Sequence, residues 1–168
     1  MKYIITTLIL FTNFTLAQQI CTTEAEIPST TPDSRFTDNG DGTISDNGTG
    51  LMWQKCQLGL SGSSCNIGSA TDHTWQQALD EAEQSSIAGY NDWRLPNHKE
   101  LLSIVEHRCY NPSINTTYFP NTSNWLFWSS SSDAYYPNST WYVIFDGGFS
   151  YSNLRSYYRH VRLVRFGQ

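Results

Sequence analysis

Four cysteines behind an export-type leader set the first limit on what this chain can become. Residues 1–17, MKYIITTLILFTNFTLA, carry one lysine at position 2, a mainly apolar run from Ile4 to Leu16 and the small-residue ending Thr15-Leu16-Ala17. That order is the pattern of a cleaved secretory signal peptide, so the mature chain is expected to begin near Gln18 and to reside in the periplasm or outside the cell. Gln18-Gln19-Ile20 stand before Cys21, where a lipidated cysteine would need small residues, so no lipid anchor is expected. No later stretch approaches the roughly 20 apolar residues that span a bilayer. In an oxidising compartment disulfides persist, and Cys21, Cys56, Cys65 and Cys109 allow three pairings. Cys56 with Cys65 is favoured because Gln57 to Ser64, QLGLSGSS, is flexible enough to close a small ring. Cys21 with Cys109 follows by elimination and would strap the N-terminus to the body. Zinc would need ligands in close pairs, and the cysteines show no such spacing.

Charge narrows the partners. Ten Lys and Arg stand against fifteen Asp and Glu, for a formal net charge of −5, so the chain lacks the basic surface that meets nucleic-acid phosphates. Charged residues make up only 15% of the chain and aromatic residues 14%, enough apolar material for a packed core.

Residues 18–34 are polar, contain Pro28 and Pro32, and read as an extended lead-in to a single domain over 35–168. From Arg35 to Trp53 the dipeptides Asn39-Gly40, Asp41-Gly42 and Asn47-Gly48 separate short β-prone pieces, the pattern of a hairpin or small meander. Thr74 with Gln77 forms a capping box, and Trp75, Ala78, Leu79 and Ala82 recur at helical spacing, with Gly89 as the stop. A second helix opens at Asn97 with Glu100 in the reciprocal position. It is expected to bury Leu101, Leu102 and Val105, to carry Cys109 on the same face and to end before Asn111-Pro112. Strands are expected at 125–131, 140–146 and 158–165, joined by polar loops at 131–140 and 147–158. The fold class is α+β, two helices packed on a mainly antiparallel, loop-rich β-sheet.

Several strings belong together. RFTDNGDGTISDNGTGLMWQK (35–55), TWQQALDEA (74–82), GYNDWRLPNHKELLSIV (89–105), FWSSS (127–131), WYVIF (141–145) and HVRLVR (160–165) resemble the Lcl C-terminal domain family of bacterial secreted proteins. The resemblance covers about residues 35–166. It implies a C-type-lectin-like fold and a secreted bacterial recognition module, with sulfated glycans as the ligands of the collagen-like adhesin that gave the family its name. That adhesin's collagen-like stalk has no counterpart here, and the terminal strand lacks the cysteine usual in true C-type lectins.

Candidate sites fall in three places. Asp38, Asp41 and Asp46, with Asn39 and Asn47, put oxygen ligands at a density that suits a hard cation such as Ca²⁺. Read as an EF-hand loop, however, the segment lacks both terminal carboxylates, and Asx-Gly pairs make turns on their own account. The C-terminal 14 residues hold Arg155, Arg159, Arg162 and Arg165 and no acid, a segregation that can focus an anionic ligand. Arg162 and Arg165 are expected to pair with core carboxylates and Arg94 to fork onto a partly buried one, which leaves Arg155 and Arg159, beside Tyr157 and Tyr158, for a ligand. Tyr135, Tyr136 and Trp141 lie among Ser, Asn and Gly, the composition of adaptable binding surfaces, and their rings can stack on sugars.

Enzyme signals are weak: Gly59-Leu60-Ser61-Gly62-Ser63 misses the last glycine of a nucleophile elbow, and the four histidines show no paired spacing. The expectation is a non-catalytic, adhesin-like recognition domain for carbohydrate or another surface ligand. The alternative is an assembly subunit of a cell-surface or pilus-like complex whose partner is a surface protein or a second copy. No cofactor is expected beyond the calcium considered above.

Overall fold

The computed structural model describes residues 18–167, and the leader expected at 1–17 lies outside the described residues. In chain order the strands are β1 (Ile20–Cys21), β2 (Phe36–Asp38), β3 (Thr43–Asp46), β4 (Leu51–Gln54), β5 (Leu60–Ser61), β6 (Ile67–Gly68), β7 (Cys109–Tyr110), β8 (Leu126–Ser132), β9 (Ser139–Ile144), β10 (Phe149–Leu154) and β11 (Val164–Phe166). The helices α1 (Trp75–Gln84) and α2 (His98–Ser103) lie between β6 and β7. The molecule mixes helix with mainly antiparallel sheet, as its patterning implies.

Turn chemistry builds the first sheet. Gly40 and Gly42 hold φ of 77° and 92°, a region open to glycine without a steric penalty, and let β2 fold back on β3. The expected meander β2-β3-β4 forms with Ile44 opposite Trp53, and β11 then pairs with β4, Val164 facing Trp53, to give the order β11-β4-β3-β2. A second sheet has the order β10-β9-β8. Its register places Trp128, Tyr142 and Tyr151 in one row on one face, with Thr140 and Asn153 beside them, and Phe127, Val143, Trp141 and Ser152 on the other. Each face meets a core. Phe127 and Val143 join Ile44, Trp53, Leu101, Ile104 and Phe119, while Trp128 and Tyr142 join Ala78, Ala82, Trp93, Leu95 and Leu163.

Both helices open where expected, with complete capping boxes at Thr74/Gln77 and Asn97/Glu100, and both stop early. In α1 the Ser85 N–H turns back to Ala82 O, and Trp93 Nε1 holds the Ile87 carbonyl at 3.1 Å in a separate turn. In α2, Arg35 Nη1 takes the Ser103 carbonyl at 2.8 Å, and Val105 leaves the helix to bridge Ile114. Cys109 is therefore on a strand, not on the helix face. It is buried there and bonded to Cys21, while Cys56 is bonded to Cys65, the pairings expected.

Two further corrections concern the C-terminal third. Phe149–Leu154 was expected in a loop and instead forms the edge strand β10. The strand expected at 158–165 is reduced to Val164–Phe166, because 159–163 thread between the sheets: Arg159 exchanges two backbone bonds with His73, Val161 O accepts Leu58 N–H, and Leu163 O accepts Gln54 N–H. Arg162, enclosed completely on this path, meets no carboxylate among the described residues. It donates to the Gln54 and Lys55 carbonyls and to Thr122 Oγ1, and burial draws its pKa down to about 9. Arg94 does find its expected acid, Glu100 at 2.7 Å, whereas Arg165 pairs at 2.7 Å not with a core carboxylate but with Asp92, which is more than half exposed.

The N-terminal segment is held by the Cys21–Cys109 bond and by one buried carboxylate. Glu106 accepts hydrogen bonds from Ser29 Oγ at 2.5 Å, Thr31 N at 2.9 Å and Thr31 Oγ1 at 2.8 Å. Burial pushes its pKa up, but these donors outweigh burial and bring it to about 2. Among the described residues no helix is long and apolar enough to cross a membrane.

Candidate functional site

Tyr142 sits at the centre of the second sheet, with Trp128 on one side and Tyr151 on the other. The backbone exchange with His73, at 2.9 and 3.0 Å, places the Arg159 side chain over this row. Its guanidinium carbon lies 4.0 Å from the Tyr142 ring centre, 4.9 Å from that of Trp128 and 5.8 Å from that of Tyr157. The residue is only 6% exposed, and Nε has no hydrogen-bond partner. Among the described residues no carboxylate pairs with it. Taking a cation out of water is costly unless it is paired, and stacking on aromatic faces returns only about 2 kcal/mol. Burial accordingly draws the Arg159 pKa down.

Arg155 repeats the arrangement nearer the surface. Its guanidinium carbon stands 4.2 Å from the Trp75 ring centre, Nε donates to Thr140 Oγ1 at 3.0 Å, and Nη2 donates to Ser132 Oγ at 2.6 Å. Trp75 is itself fixed, with Nε1 on the Ser129 carbonyl at 3.0 Å and its backbone N–H on the Arg155 carbonyl. Arg155 likewise has no carboxylate among the described residues.

The other candidates divide around these two arginines. Tyr157 is exposed and flanks Arg159, and Tyr151 is exposed beside Tyr142, their ring centres 6.4 Å apart. Tyr158 is exposed two residues beyond Ser156. Tyr135 and Tyr136 project from the β8–β9 tip at 85% and 61% exposure, their rings 5.5 Å apart, on a turn whose two backbone N–H groups reach the Asp133 carboxylate. Trp141 does not join them. It lies on the reverse face of the sheet, half-buried and stacked on His98 with ring centres 4.8 Å apart. Sequence reasoning missed Tyr142 and Trp75, and it set Tyr151 in a polar binding loop and not on a strand. The signal was there in the alternation of 139–144 and 149–154, which sets Tyr142 and Tyr151 side by side once both stretches are read as paired strands.

The three aspartates named for calcium serve separate turns. Asp38 pairs with Lys55 Nζ at 2.6 Å, and Asp41 accepts from Thr43 N–H and Oγ1. Asp46 is enclosed and takes Arg35 Nε and Nη2 at 2.7 and 2.5 Å, with Thr49 Oγ1 at 2.7 Å. Burial would raise the Asp46 pKa, yet the Arg35 and Thr49 hydrogen bonds hold it below the usual carboxylate value. Asp38 and Asp41 line a cleft of about 480 Å³ with Gln54, Lys55, Leu60 and Ile87. Among the described residues no three acidic, histidine or cysteine side chains converge as a metal site.

Comparison with known proteins adds one identification. The model of the Lcl C-terminal domain matches residues 42–165. No curated protein matches the chain.

Proposed function

Because the chain belongs to the Lcl C-terminal domain family, we propose that it is an exported, non-catalytic recognition domain of C-type-lectin-like fold that binds anionic carbohydrate. The observation that carries the reading is Arg159, a nearly enclosed cation laid on Tyr142 and Trp128 with no acid among the described residues to neutralise it. An anion arriving there gains a charge-assisted hydrogen bond in a place of low dielectric. The neighbouring Tyr151 and Tyr157 present exposed ring faces on which the C–H side of a sugar can stack. Tyr135 and Tyr136 extend the aromatic surface at the hairpin tip. Two closed disulfides, with no free cysteine among the described residues, are compatible with an oxidising compartment.

The test is a glycan array with the disulfide-intact mature chain, run in Ca²⁺ and again in EDTA and including sulfated polysaccharides. Binding that survives EDTA and weakens as salt rises supports the arginine face. Binding lost in EDTA assigns recognition to the Asp38, Asp41 and Asp46 turns and overturns it. A second reading, the assembly subunit, is favoured by one feature: β10 is an edge strand with no neighbour on its outer side among the described residues, and open edges pair with other chains. That reading predicts an oligomer or a single captured protein partner, with no glycan bound under either condition.

A further inference from the structure

We infer that the anionic group this face selects is a sugar carboxylate, as in a uronic acid, gripped by the two terminal nitrogens of Arg159; the inference rests on the glycan reading above. Tyr142 and Trp128 cover the guanidinium, and Nε is enclosed without a partner, so a ligand meets the edge that bears Nη1 and Nη2. Two parallel N–H groups in one plane match the two oxygens of a planar carboxylate. A tetrahedral sulfate ester can also set two oxygens on that edge, so what separates the two anions is how many further cations stand beside Arg159.

The supply of cations favours the carboxylate. Densely sulfated chains are held by rows of unpaired arginine and lysine, whereas Arg35, Lys55, Arg94, Arg108 and Arg165 are each already on a carboxylate, and the exposed Lys99 belongs to α2, whose His98 packs on the reverse face of the sheet. The face itself offers two cations, and they differ. Arg155 has committed Nε and one N–H of Nη2 to Thr140 and Ser132, so it lacks a free Nε–Nη2 edge and offers Nη1 to groups such as a ring hydroxyl. Asn153 lies on the same face as Tyr151 and Thr140 and adds an amide suited to a second hydroxyl. One carboxylate flanked by hydroxyls fits this set.

The experiment titrates the mature, disulfide-intact protein with three probes: an unsulfated oligogalacturonate, the same oligosaccharide with its carboxyl groups reduced to alcohols, and dextran sulfate. The expected result is saturable binding of the oligogalacturonate, weakened at least about tenfold by carboxyl reduction, the loss of a charge-assisted hydrogen bond. Arg159→Lys keeps the charge and removes the fork. It should weaken oligogalacturonate about tenfold while leaving dextran sulfate, held by charge alone, nearly unchanged. Dextran sulfate binding in preference, or equal binding of the parent and carboxyl-reduced oligosaccharides, overturns the carboxylate and leaves the glycan reading standing. No binding of any probe overturns both. The carboxyl-reduction arm uses the unaltered protein, so it decides the question even if Arg159→Lys fails to fold.

Discussion

Two halves of this molecule handle positive charge in opposite ways. Around the first sheet, Arg35 lies on Asp46, Lys55 on Asp38, Arg94 on Glu100 and Arg165 on Asp92, and each pair ties together segments that are distant or turning. On the second sheet, Arg155 and Arg159 lie on the rings of Trp75, Tyr142 and Trp128 with no carboxylate among the described residues. Asp133, at the hairpin tip next to Ser132, is engaged by the Ser152 hydroxyl and by the backbone of Tyr135 and Tyr136. A paired charge specifies how the chain folds. A cation stacked on aromatic rings, without an acid, keeps its electrostatic demand for something that arrives later.

The contrast breaks most visibly at Asp46. Asp46→Asn leaves Arg35 facing a neutral amide in an enclosed setting, with one acceptor oxygen where Arg35 and Thr49 now share two, and unfolding in denaturant should show a loss of about 3 kcal/mol, the cost of stranding one partner of a buried pair. Acid should loosen the N-terminal strap in the same sense. Glu106 is held at about 2 against 4.5 for the free side chain, so its contribution is complete above about pH 4.5 and fades as pH falls toward 2. Glu106→Gln should cost about 2 kcal/mol at neutral pH and flatten the acid limb of the stability profile, as denaturation between pH 2 and 6 would show. A third substitution sharpens the contrast from the exposed side. Asp92 is more than half exposed, so Asp92→Asn should leave stability close to that of the parent, and a thermal midpoint unchanged within a few degrees would confirm it.

Legibility followed the distance over which each feature is decided. The capping boxes at Thr74/Gln77 and Asn97/Glu100, the Asp41-Gly42 turn and the Cys56–Cys65 ring all depend on residues within ten positions, and their chemistry could be read directly. The end of α2 could not, because it is decided by Arg35, 68 residues away from the Ser103 carbonyl it captures. Arg162 was expected to seek an acid and found two carbonyls and a hydroxyl, since the interior it threads is walled by strand ends. The site was half legible. Arg155, Arg159 and Tyr157 stood out as uncompensated charge beside aromatic residues, but the burial of Arg159 comes from pairing with His73. The floor beneath it, Tyr142, becomes visible only when FSYSNL is read as a strand and not as a polar loop.

The sharpest test of the contrast needs no ligand. Arg159→Met keeps the stem over Tyr142 and Trp128 and removes the charge, and equilibrium unfolding of this variant can be measured beside Asp46→Asn under identical conditions. If Arg159 is held for a ligand and not for the fold, the variant should be as stable as the parent, within about 1 kcal/mol, or more stable, because a desolvated cation has been replaced by an apolar side chain. A loss as large as that of Asp46→Asn would mean that Arg159 is a structural residue like Arg35, and the division between the two halves would not stand.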